Sequence, residues 1–360
     1  MAKKVTIQQL AQELNLSSAT VSRALNDHPQ INADTKRVVG ELAEKLGYAA
    51  RQPAVHRSGS LGSKKPIVWI TPLVNFQFED PIILEIIGGI VSRCAEIGRA
   101  FLHIPTDASH ELETYRELIA SKEIGGFILA NRLAEGDRRL DFLMENRVPF
   151  ISHGAIPPTS HTYAWVRVDF AHAYWMGTRH LLDLGHRDIA LLNAMPGFQA
   201  SAERESGFRQ ALAESGVTVS ENWVIGGPKN EEFGYRIAHQ LLDTTPAPTA
   251  IVCSSVMTAR AAVFAVEERN LVVGRDVSIV AFDDNVAGTF HFTPLTTMFS
   301  PVRPIGRRIV DILERVIEGE DVTDLNFIQR AELLVRSSSG PLAQPTEPLP
   351  RPASRLQSSR

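Results

Sequence analysis

The first 47 residues carry the pattern that most restricts how this chain can fold. Apolar residues recur there at helical spacing in three short segments, and the middle segment, 17–26, is polar on one side and poor in charge. Ser17 can cap the start of this helix, and Val21 and Leu25 lie four residues apart on its inward face. A short helix braced by two amphipathic neighbours can lie in the major groove of DNA. The pattern predicts an all-α, helix-turn-helix head with one exposed polar helix.

The flanking helices show their own start signals and apolar stripes. Thr6 and Gln9 form a capping box for the first helix, and the third helix begins near Asn32. We expect the inward stripe of the first helix at Ile7, Leu10, Ala11 and Leu14. We expect that of the third helix at Val38, Val39, Leu42 and Leu46. A plain three-helix bundle with a solvated polar face would show the same pattern, but the charge favours DNA. Residues 1–65 hold ten basic and five acidic residues, a net +5, while the rest of the chain carries −9.

Residues 5–11, 17–26 and 46–48 resemble the DNA-binding head of the lactose-repressor (LacI/GalR) family of bacterial transcription regulators. The resemblance implies that the middle helix reads operator bases. Arg23 is the best candidate for a bidentate guanine contact. The residues expected at DNA are Thr6, Ser17, Ser18, Ala19, Thr20, Ser22, Arg23, Asn26, Arg51 and Arg57.

The linker after the head departs from that family. Arg57 stands where relatives carry a Leu wedge, and Pro53 suits only a first helical turn. An Arg side chain can enter a narrow minor groove electrostatically, but it does not unstack bases as Leu does. The sequence therefore predicts DNA binding by this linker and leaves kinking of the duplex open.

From Pro66 onward, short apolar strand segments alternate with helical segments. Strands are expected at 67–71, 100–104, 126–130, 148–152, 188–193, 249–253 and 277–282. This alternation predicts right-handed crossovers and an α/β body of two doubly wound, largely parallel sheets with a cleft between them. The family resemblance continues through this region and implies the periplasmic-binding-protein type I architecture; the runs that carry it are 125–129, 180–187, 204–208, 280–284 and 294–297.

The resemblance and the composition together predict the domain boundaries. We expect the head at 1–48, a hinge or linker at 49–65, the body at 66–336 and a disordered, Pro- and Ser-rich tail at 337–360. The N-subdomain of the body is expected at about 66–165 and 297–325, and the C-subdomain at about 166–296 and 326–336.

The cleft between the subdomains is the expected site of a small-molecule effector. A sugar needs charged and amide groups for its hydroxyls, and apolar or aromatic faces for its rings. Arg204 and Asp283 match positions that contact effector in the family, with an ordinary salt bridge as the alternative. Asp169, near a predicted crossing, is equally open between a cleft contact and a structural role.

Several pocket positions depart from the family pattern, so the identity of the effector cannot be carried over. Ser254 replaces the usual Asn, His153 lies in a stretch that usually reads Ile-Asp-Arg, and the loop 75–80 is longer. Phe76 or Phe78 is expected to stack on a sugar ring, with plain burial as the alternative. The full set of expected effector contacts is Arg204, Asp283, Asp169, Phe76, Phe78, His153 and Ser254.

Composition and missing motifs restrict the function class. Only two cysteines, Cys94 and Cys253, are present, and no apolar run reaches membrane-spanning length, so we expect a cytoplasmic protein. The sequence contains no GxxxxGK[ST], GxGxxG or GxSxG motif and no zinc-ligand spacing, so we expect no enzyme, cofactor or metal. A transport-type sugar-binding protein could share the body but would not carry the head.

These observations predict a bacterial repressor of carbohydrate uptake or catabolism genes. Its homodimer would read a pseudo-palindromic operator, with Ile86, Ile87 and Ile90 of a helix over 82–97 as dimer contacts. A mono- or disaccharide in the cleft would release the DNA, and co-repression, as in the purine repressor, is the alternative.

Overall fold

The computed structural model shows two compact units. The residues that it describes are 7–25, 31–45, 64–72, 81–131, 133–154, 162–283 and 293–342. The head lies within Met1–Ser63 and the body within Lys64–Arg360. Over these described ranges, a helix long and apolar enough to span a membrane is absent.

The head consists of three short helices around one small core. They are α1 (Ile7–Glu13), α2 (Ser18–Leu25) and α3 (Ala33–Lys45). Leu10, Val21 and Val39 are fully buried in its centre. Ser17 Oγ accepts a hydrogen bond from the Thr20 N–H at 3.0 Å, which confirms the predicted cap of α2.

The prediction that Val38 lies on the inward stripe of α3 is wrong. Val38 is 41% exposed, whereas Val39 is fully buried and Ala43, four residues further on, joins it in the core. Successive residues of an α-helix are rotated by about 100° around its axis. A narrow buried stripe therefore includes only one of the neighbours Val38 and Val39.

The body begins with a parallel sheet of six strands. They are β1 (Ile67–Pro72), β2 (Phe101–Thr106), β3 (Gly126–Leu129), β4 (Phe150–His153), β5 (Trp165–Val168) and β11 (Asn326–Gln329), in the order β11-β5-β4-β3-β1-β2. One face packs on α4 (Pro81–Glu96) and α11 (Arg303–Ile317), and the other on α5 (Glu111–Ser121) and α6 (Arg138–Glu145). Neighbouring strand residues such as Val68 and Trp69 face opposite layers, as the pleat requires.

A second sheet of six strands forms the other half of the body. They are β6 (Ile189–Ala194), β7 (Val224–Gly227), β8 (Ala250–Cys253), β9 (Ser278–Asp283), β10 (Thr296–Phe299) and β12 (Glu332–Leu334), in the order β12-β10-β9-β8-β6-β7. Only the β10–β12 pair is antiparallel among these strands. The covering helices are α7 (Phe170–Asp183) with α8 (Gln199–Glu214), and α9 (Glu231–Leu242) with α10 (Val256–Glu267). The predicted pair of doubly wound sheets is confirmed.

The chain crosses between the sheets slightly away from the predicted boundaries. β5 and β11 belong to the first sheet, although the boundaries at 166 and 326 put them in the C-subdomain. β10 pairs with β9 in the second sheet, although the N-subdomain was expected to resume at 297. The chain passes to the other subdomain only after the strand at each crossing has ended. The three crossings therefore come after Val168, Phe299 and Gln329.

The first residues of the predicted tail are ordered parts of the second subdomain. Ser338 is fully buried, and its Oγ donates to the Ile279 carbonyl at 2.6 Å and accepts from the Thr296 N–H at 2.8 Å. The prediction of disorder is therefore wrong for residues 337–342, because a small hydroxyl side chain satisfies backbone groups at the starts of two strands. Residues 343–360 lie outside the described chain.

The helices α4 and α11 lie close enough to require glycine at their contact. A Cβ added at Gly306 would lie 2.1 Å from the Ile86 carbonyl oxygen. Ile86 and Ile90 are buried in this contact, so the prediction that they form a dimer interface is wrong. The exposed large apolar residues on α4 are instead Leu84 and Val91.

Candidate functional site

A cleft lies where the carboxyl ends of the parallel strands in the two sheets face each other, which is where open α/β sheets bind ligands. It holds two adjoining cavities of about 490 and 700 Å³, volumes that include space open to solvent. The residues common to both walls are Asn131, His153, Phe170, Phe198 and Ala200. Because these walls are shared, the two cavities form one continuous site with two lobes.

The larger cavity is named here the Arg204 lobe. Its own wall residues are Trp69, Ile82, Ile83, Ile86, Ala194, Met195, Ser201, Arg204 and Lys229. Arg204, on α8, is only 3% exposed, and its guanidinium carbon lies 4.2 Å from the centroid of the Phe170 ring. Its Nε is buried without a hydrogen-bond partner among the described residues. Arg204 belongs to the wall of this lobe, so its guanidinium can donate hydrogen bonds to a ligand bound there.

The smaller cavity is named here the Arg167 lobe. Its own wall residues are Gly154, Arg167, Val168, Gln199 and Glu203. Arg167 on β5 and Glu203 on α8 form an ion pair of 3.1 Å that joins the two subdomains. The Gln199 side-chain amide donates to Glu203 at 3.2 Å. Burial raises the pKa of the Glu203 carboxyl, and the hydrogen bond from Gln199 and the charge of Arg167 oppose that shift.

His153 belongs to both lobes and is held neutral. Its side chain is partly buried at the end of β4, and burial lowers its pKa to about 4. At neutral pH the ring therefore has one N–H donor and one acceptor nitrogen, a combination that suits a ligand hydroxyl.

Backbone contacts join the two subdomains beside the cleft. Leu133 and Phe198 form an isolated antiparallel bridge, and the Ala134 N–H donates to the Gly197 carbonyl at 2.9 Å. Leu133 and Ala134 follow the first sheet's β3, whereas Gly197 and Phe198 precede α8 on the second sheet. Groups from both subdomains can therefore reach one ligand.

The other described pocket candidates line neither lobe. Asp169 caps α7 by accepting from the His172 N–H at 3.2 Å, and its carboxylate lies 3.7 Å from the Arg167 guanidinium. Asp283 is 1% exposed at the end of β9. Ser254 is fully buried after β8, and its Oγ has no hydrogen-bond partner in the described parts of the chain. Effector contact by these three residues stays a prediction.

Part of the predicted site falls beyond what the structure describes. Outside the described residues lie Thr6, Asn26, Arg51, Arg57, Phe76 and Phe78. Ala19, Ser22 and Arg23 lie on α2, and their side chains are outside the described set.

The described start of α2 presents polar groups to solvent. Ser17 and Ser18 are exposed, and the Ser17 and Thr20 hydroxyl oxygens lie 2.8 Å apart. Hydroxyl and backbone N–H groups at a helix start can hydrogen-bond to phosphate oxygens or base edges. This end of α2 is therefore chemically suited to contact with a nucleic acid.

Sequence reasoning missed most of the residues that line the cleft. Among the missed residues are Trp69, Asn131, Arg167, Phe170, Phe198, Gln199, Glu203 and Lys229. The apolar pattern does not predict β5, so nothing marks Arg167 as a residue at a strand end. Gln199 and Glu203 lie four residues apart at the start of α8, and that spacing is a signal that could have found them. No group of three metal-ligating side chains occurs within the described residues.

Comparison with known proteins identifies the family. Residues 6–50 match the bacterial regulatory proteins of the lacI family, and residues 178–339 match a periplasmic binding protein-like domain. The HTH-type transcriptional regulator AglR of Rhizobium meliloti (strain 1021) is 34% identical over 357 residues, which cover 97% of this chain and 98% of AglR. The chain belongs to the LacI family.

Solved structures of LacI-type regulators share this fold. The transcriptional regulator CelR in complex with cellobiose superposes with a TM-score of 0.69 at 24% identity, covering 93% of this chain and 100% of CelR. The lac repressor dimer bound to operator and the anti-inducer ONPF superposes with a TM-score of 0.67 at 22% identity, covering 95% and 100%. This LacI-family chain is a repressor-like, DNA-binding transcription regulator, and its named relatives are transcriptional regulators too.

Proposed function

We propose that this LacI-family regulator controls genes of carbohydrate uptake or catabolism and responds to a small sugar bound in the cleft. The observation that carries the proposal is the Arg204 lobe, where the Arg204 guanidinium lies over the Phe170 ring and Trp69 lines the same cavity. Arginine donors suit the oxygens of hydroxyl groups, and aromatic faces suit the apolar faces of sugar rings. CelR, which shares the fold, was solved with a bound sugar, and this supports the ligand class.

The DNA partner would be a pseudo-palindromic operator read by two heads. α2 would enter the major groove, and Arg23 would contact guanine. A homodimer would set the spacing of the heads. Large apolar side chains left exposed on the body support such a dimer: Leu84 and Val91 on α4, and Tyr235 and Phe264 on α9 and α10.

Effector and operator would be coupled through closure of the cleft. The Arg167–Glu203 ion pair and the Leu133–Phe198 bridge hold the two subdomains together in the structure. A sugar that binds this closed state more tightly than an open one would shift the population, and DNA affinity would change by the differential affinity of the two states. Release of the operator by the sugar is the arrangement that we propose.

A ligand screen on the full-length protein tests the proposal. Thermal-shift measurements with mono- and disaccharides come first, followed by fluorescence-anisotropy titration of DNA fragments from upstream of carbohydrate genes. We expect one sugar to raise the melting temperature and to weaken binding of one fragment at least about tenfold, a typical allosteric coupling.

The matched variants are Arg204→Ala and Arg209→Ala, both on α8. Arg204→Ala should remove the sugar-induced shift and leave operator affinity without sugar intact, because Arg204 lies in the cleft. Arg209 pairs with Glu221 on the outer surface at 2.7 Å, and its loss should leave the sugar response in place. A normal response by Arg204→Ala, or no shift with any sugar, contradicts the proposal.

A further inference from the structure

A buried ion pair holds the chain where it enters the body, at Lys64 near the end of the predicted linker 49–65. Arg99, before β2, is 6% exposed and pairs with Glu314 on α11 through Nη2, at 3.0 Å, and through Nε. Arg99 Nη1 also donates to the Lys65 carbonyl, and Lys64 Nζ donates to Glu314 at 2.8 Å. The ion pair therefore contacts the side chain of the first body residue and the backbone of the second. We name Lys64, Lys65, Arg99 and Glu314 the junction clamp.

The next two residues of the chain are fixed by backbone hydrogen bonds. The Pro66 carbonyl accepts from the Gly125 N–H at 2.8 Å, and the Ile67 N–H donates to the Ala100 carbonyl at 3.0 Å. A Cβ added at Gly125 would lie 2.7 Å from Nη1 of Arg99, so glycine leaves the room that the guanidinium needs. Four consecutive residues are thus held by different parts of the first subdomain, and the body sets the position of the chain at its entry into β1.

The charge of the clamp is not needed to join β2 to α11. Desolvation of two buried charges offsets most of their attraction, and a well-packed apolar pair of similar size is often as stable or more stable. The charged pair, unlike an apolar one, also binds a backbone carbonyl and an ammonium of the incoming chain. Fixing the register of a chain is the best attested use of buried charged groups. The clamp is therefore suited to position the start of the linker.

We propose that the junction clamp determines which spacing between operator half-sites the regulator accepts, with Arg99 and Glu314 as positioning residues. This inference rests on the proposed function, because it takes two heads that read one pseudo-palindromic operator. Each head is joined to its body through one linker, and the clamp fixes the point at which that linker begins.

The effect on spacing follows from the second binding step. Once one head is bound, the other binds in an intramolecular step, and its effective concentration depends on how narrowly the start of its linker is defined. A fixed start concentrates the second head at one spacing. A loose start spreads it over several spacings, so binding at the preferred spacing weakens and discrimination against the others falls.

A clamp that only stabilised the body would make a different prediction. Its loss would lower the melting temperature and would change the affinity for every duplex by the same factor. A clamp that positions the linkers changes the ratio of affinities between duplexes with different half-site spacings. One inserted base pair is a sufficient test, because it moves a half-site by about 3.4 Å along the duplex and rotates it by about 35°.

Fluorescence-anisotropy titration of the full-length protein measures this spacing ratio. The probes are duplexes that the wild type selects from a randomised library, made at the selected spacing and with one base pair inserted between the half-sites. A duplex with a single half-site reports the binding of one head. For the wild type we expect at least about tenfold tighter binding at the selected spacing than with the insertion.

Glu314→Gln keeps the size of the side chain but leaves one acceptor oxygen for two cations. It should lower the spacing ratio by about three- to tenfold and leave the affinity for the single half-site unchanged. Lys64→Ala removes a side chain that is 44% exposed, so the body should still fold, and the ratio should fall by a smaller factor. The control is Glu320→Gln, which breaks an exposed pair with Arg315 (2.7 Å) just after the same helix. Melting temperatures without DNA check that each variant is folded.

The outcomes separate this inference from the proposed function. An unchanged ratio in folded Glu314→Gln, or in Lys64→Ala if Glu314→Gln does not fold, overturns the spacing role and leaves the proposed function standing. A wild type that binds both spacings equally, or an equal fall of the ratio in Glu320→Gln, does the same. Selection of no duplex, or of single half-sites only, overturns both. A ratio that falls in the clamp variants but not in Glu320→Gln supports the spacing role.

Discussion

In the head, Ser17 finds a hydrogen-bond partner within one helical turn, whereas in the cleft Arg167 finds its ion-pair partner Glu203 across the body. Ser17 Oγ accepts a hydrogen bond from the N–H of Thr20, three residues along the chain. Arg167 and Glu203 are 36 residues apart in sequence and lie in different subdomains. The head can therefore form from a short piece of chain, but the cleft exists only when both sheets are complete. Under the proposed function, DNA reading and ligand reading would therefore depend on separate parts of the fold.

The apolar cores differ in the same way. The head has a single small core around Leu10, Val21 and Val39, while the body buries three larger clusters between its sheets and helices. A unit this small has only a few kcal/mol of stability from its core. Damage to the head core should therefore unfold the head and leave the body folded.

The largest expected effect comes from Leu10→Ala. Truncating a fully buried Leu costs about 2–5 kcal/mol, which is comparable to the whole stability of so small a unit. Operator affinity should fall at least about 100-fold, while the sugar-induced rise in melting temperature persists. Val38→Ala, at the exposed position on α3, is the control and should bind DNA normally. Loss of the sugar response in Leu10→Ala would show that the two units are not independent.

A smaller effect, still confined to the head, is expected from Arg23→Ala. A bidentate base contact contributes about 1–3 kcal/mol of discrimination, so preference for operator over scrambled DNA should fall by about 5- to 150-fold. Binding to scrambled DNA should survive and keep its salt dependence, because phosphate contacts supply it. Anisotropy titrations at two salt concentrations measure both quantities. An unchanged operator preference would remove Arg23 from the reading surface.

The head could be predicted from sequence because its determinants are local. The cap at Ser17 and the inward position of Val21 lie within one stretch of helix, and both are confirmed. The error at Val38 has a local cause too, since two adjacent apolar residues leave the direction of a stripe ambiguous. A pattern within 47 residues was enough for the fold of this unit.

The cleft could be predicted only in part, because its walls come from distant segments. The strongly apolar strands β1 and β8 were predicted, but β5 has only four residues and includes a charged one, Arg167, so periodicity does not reveal it. Arg204 was found through the family motif around it. Glu203, one residue earlier, was missed, because its role depends on which strand end faces α8 across the cleft.

The smallest expected effect is a pH dependence that belongs to the body alone. His153 has a pKa of about 4 in the folded protein, below the value of about 6.5 in an unfolded chain. Between these two values the unfolded state binds a proton that the folded state excludes, so the free energy of unfolding falls as the pH drops from about 6.5 to 4.

Because the His153 ring is only partly buried, we expect its protonation to contribute about 1–2 kcal/mol to this fall. Between pH 7.5 and 4.5, the free energy of unfolding of His153→Asn should therefore fall by about 1–2 kcal/mol less than that of the wild type. The exposed His110→Asn is the control, and urea unfolding at both pH values measures the difference. The head does not contain His153, so the DNA affinity of the folded protein should not follow the same pH dependence as the free energy of unfolding. If His153→Asn loses as much stability on acidification as the wild type, the acid sensitivity lies elsewhere in the body.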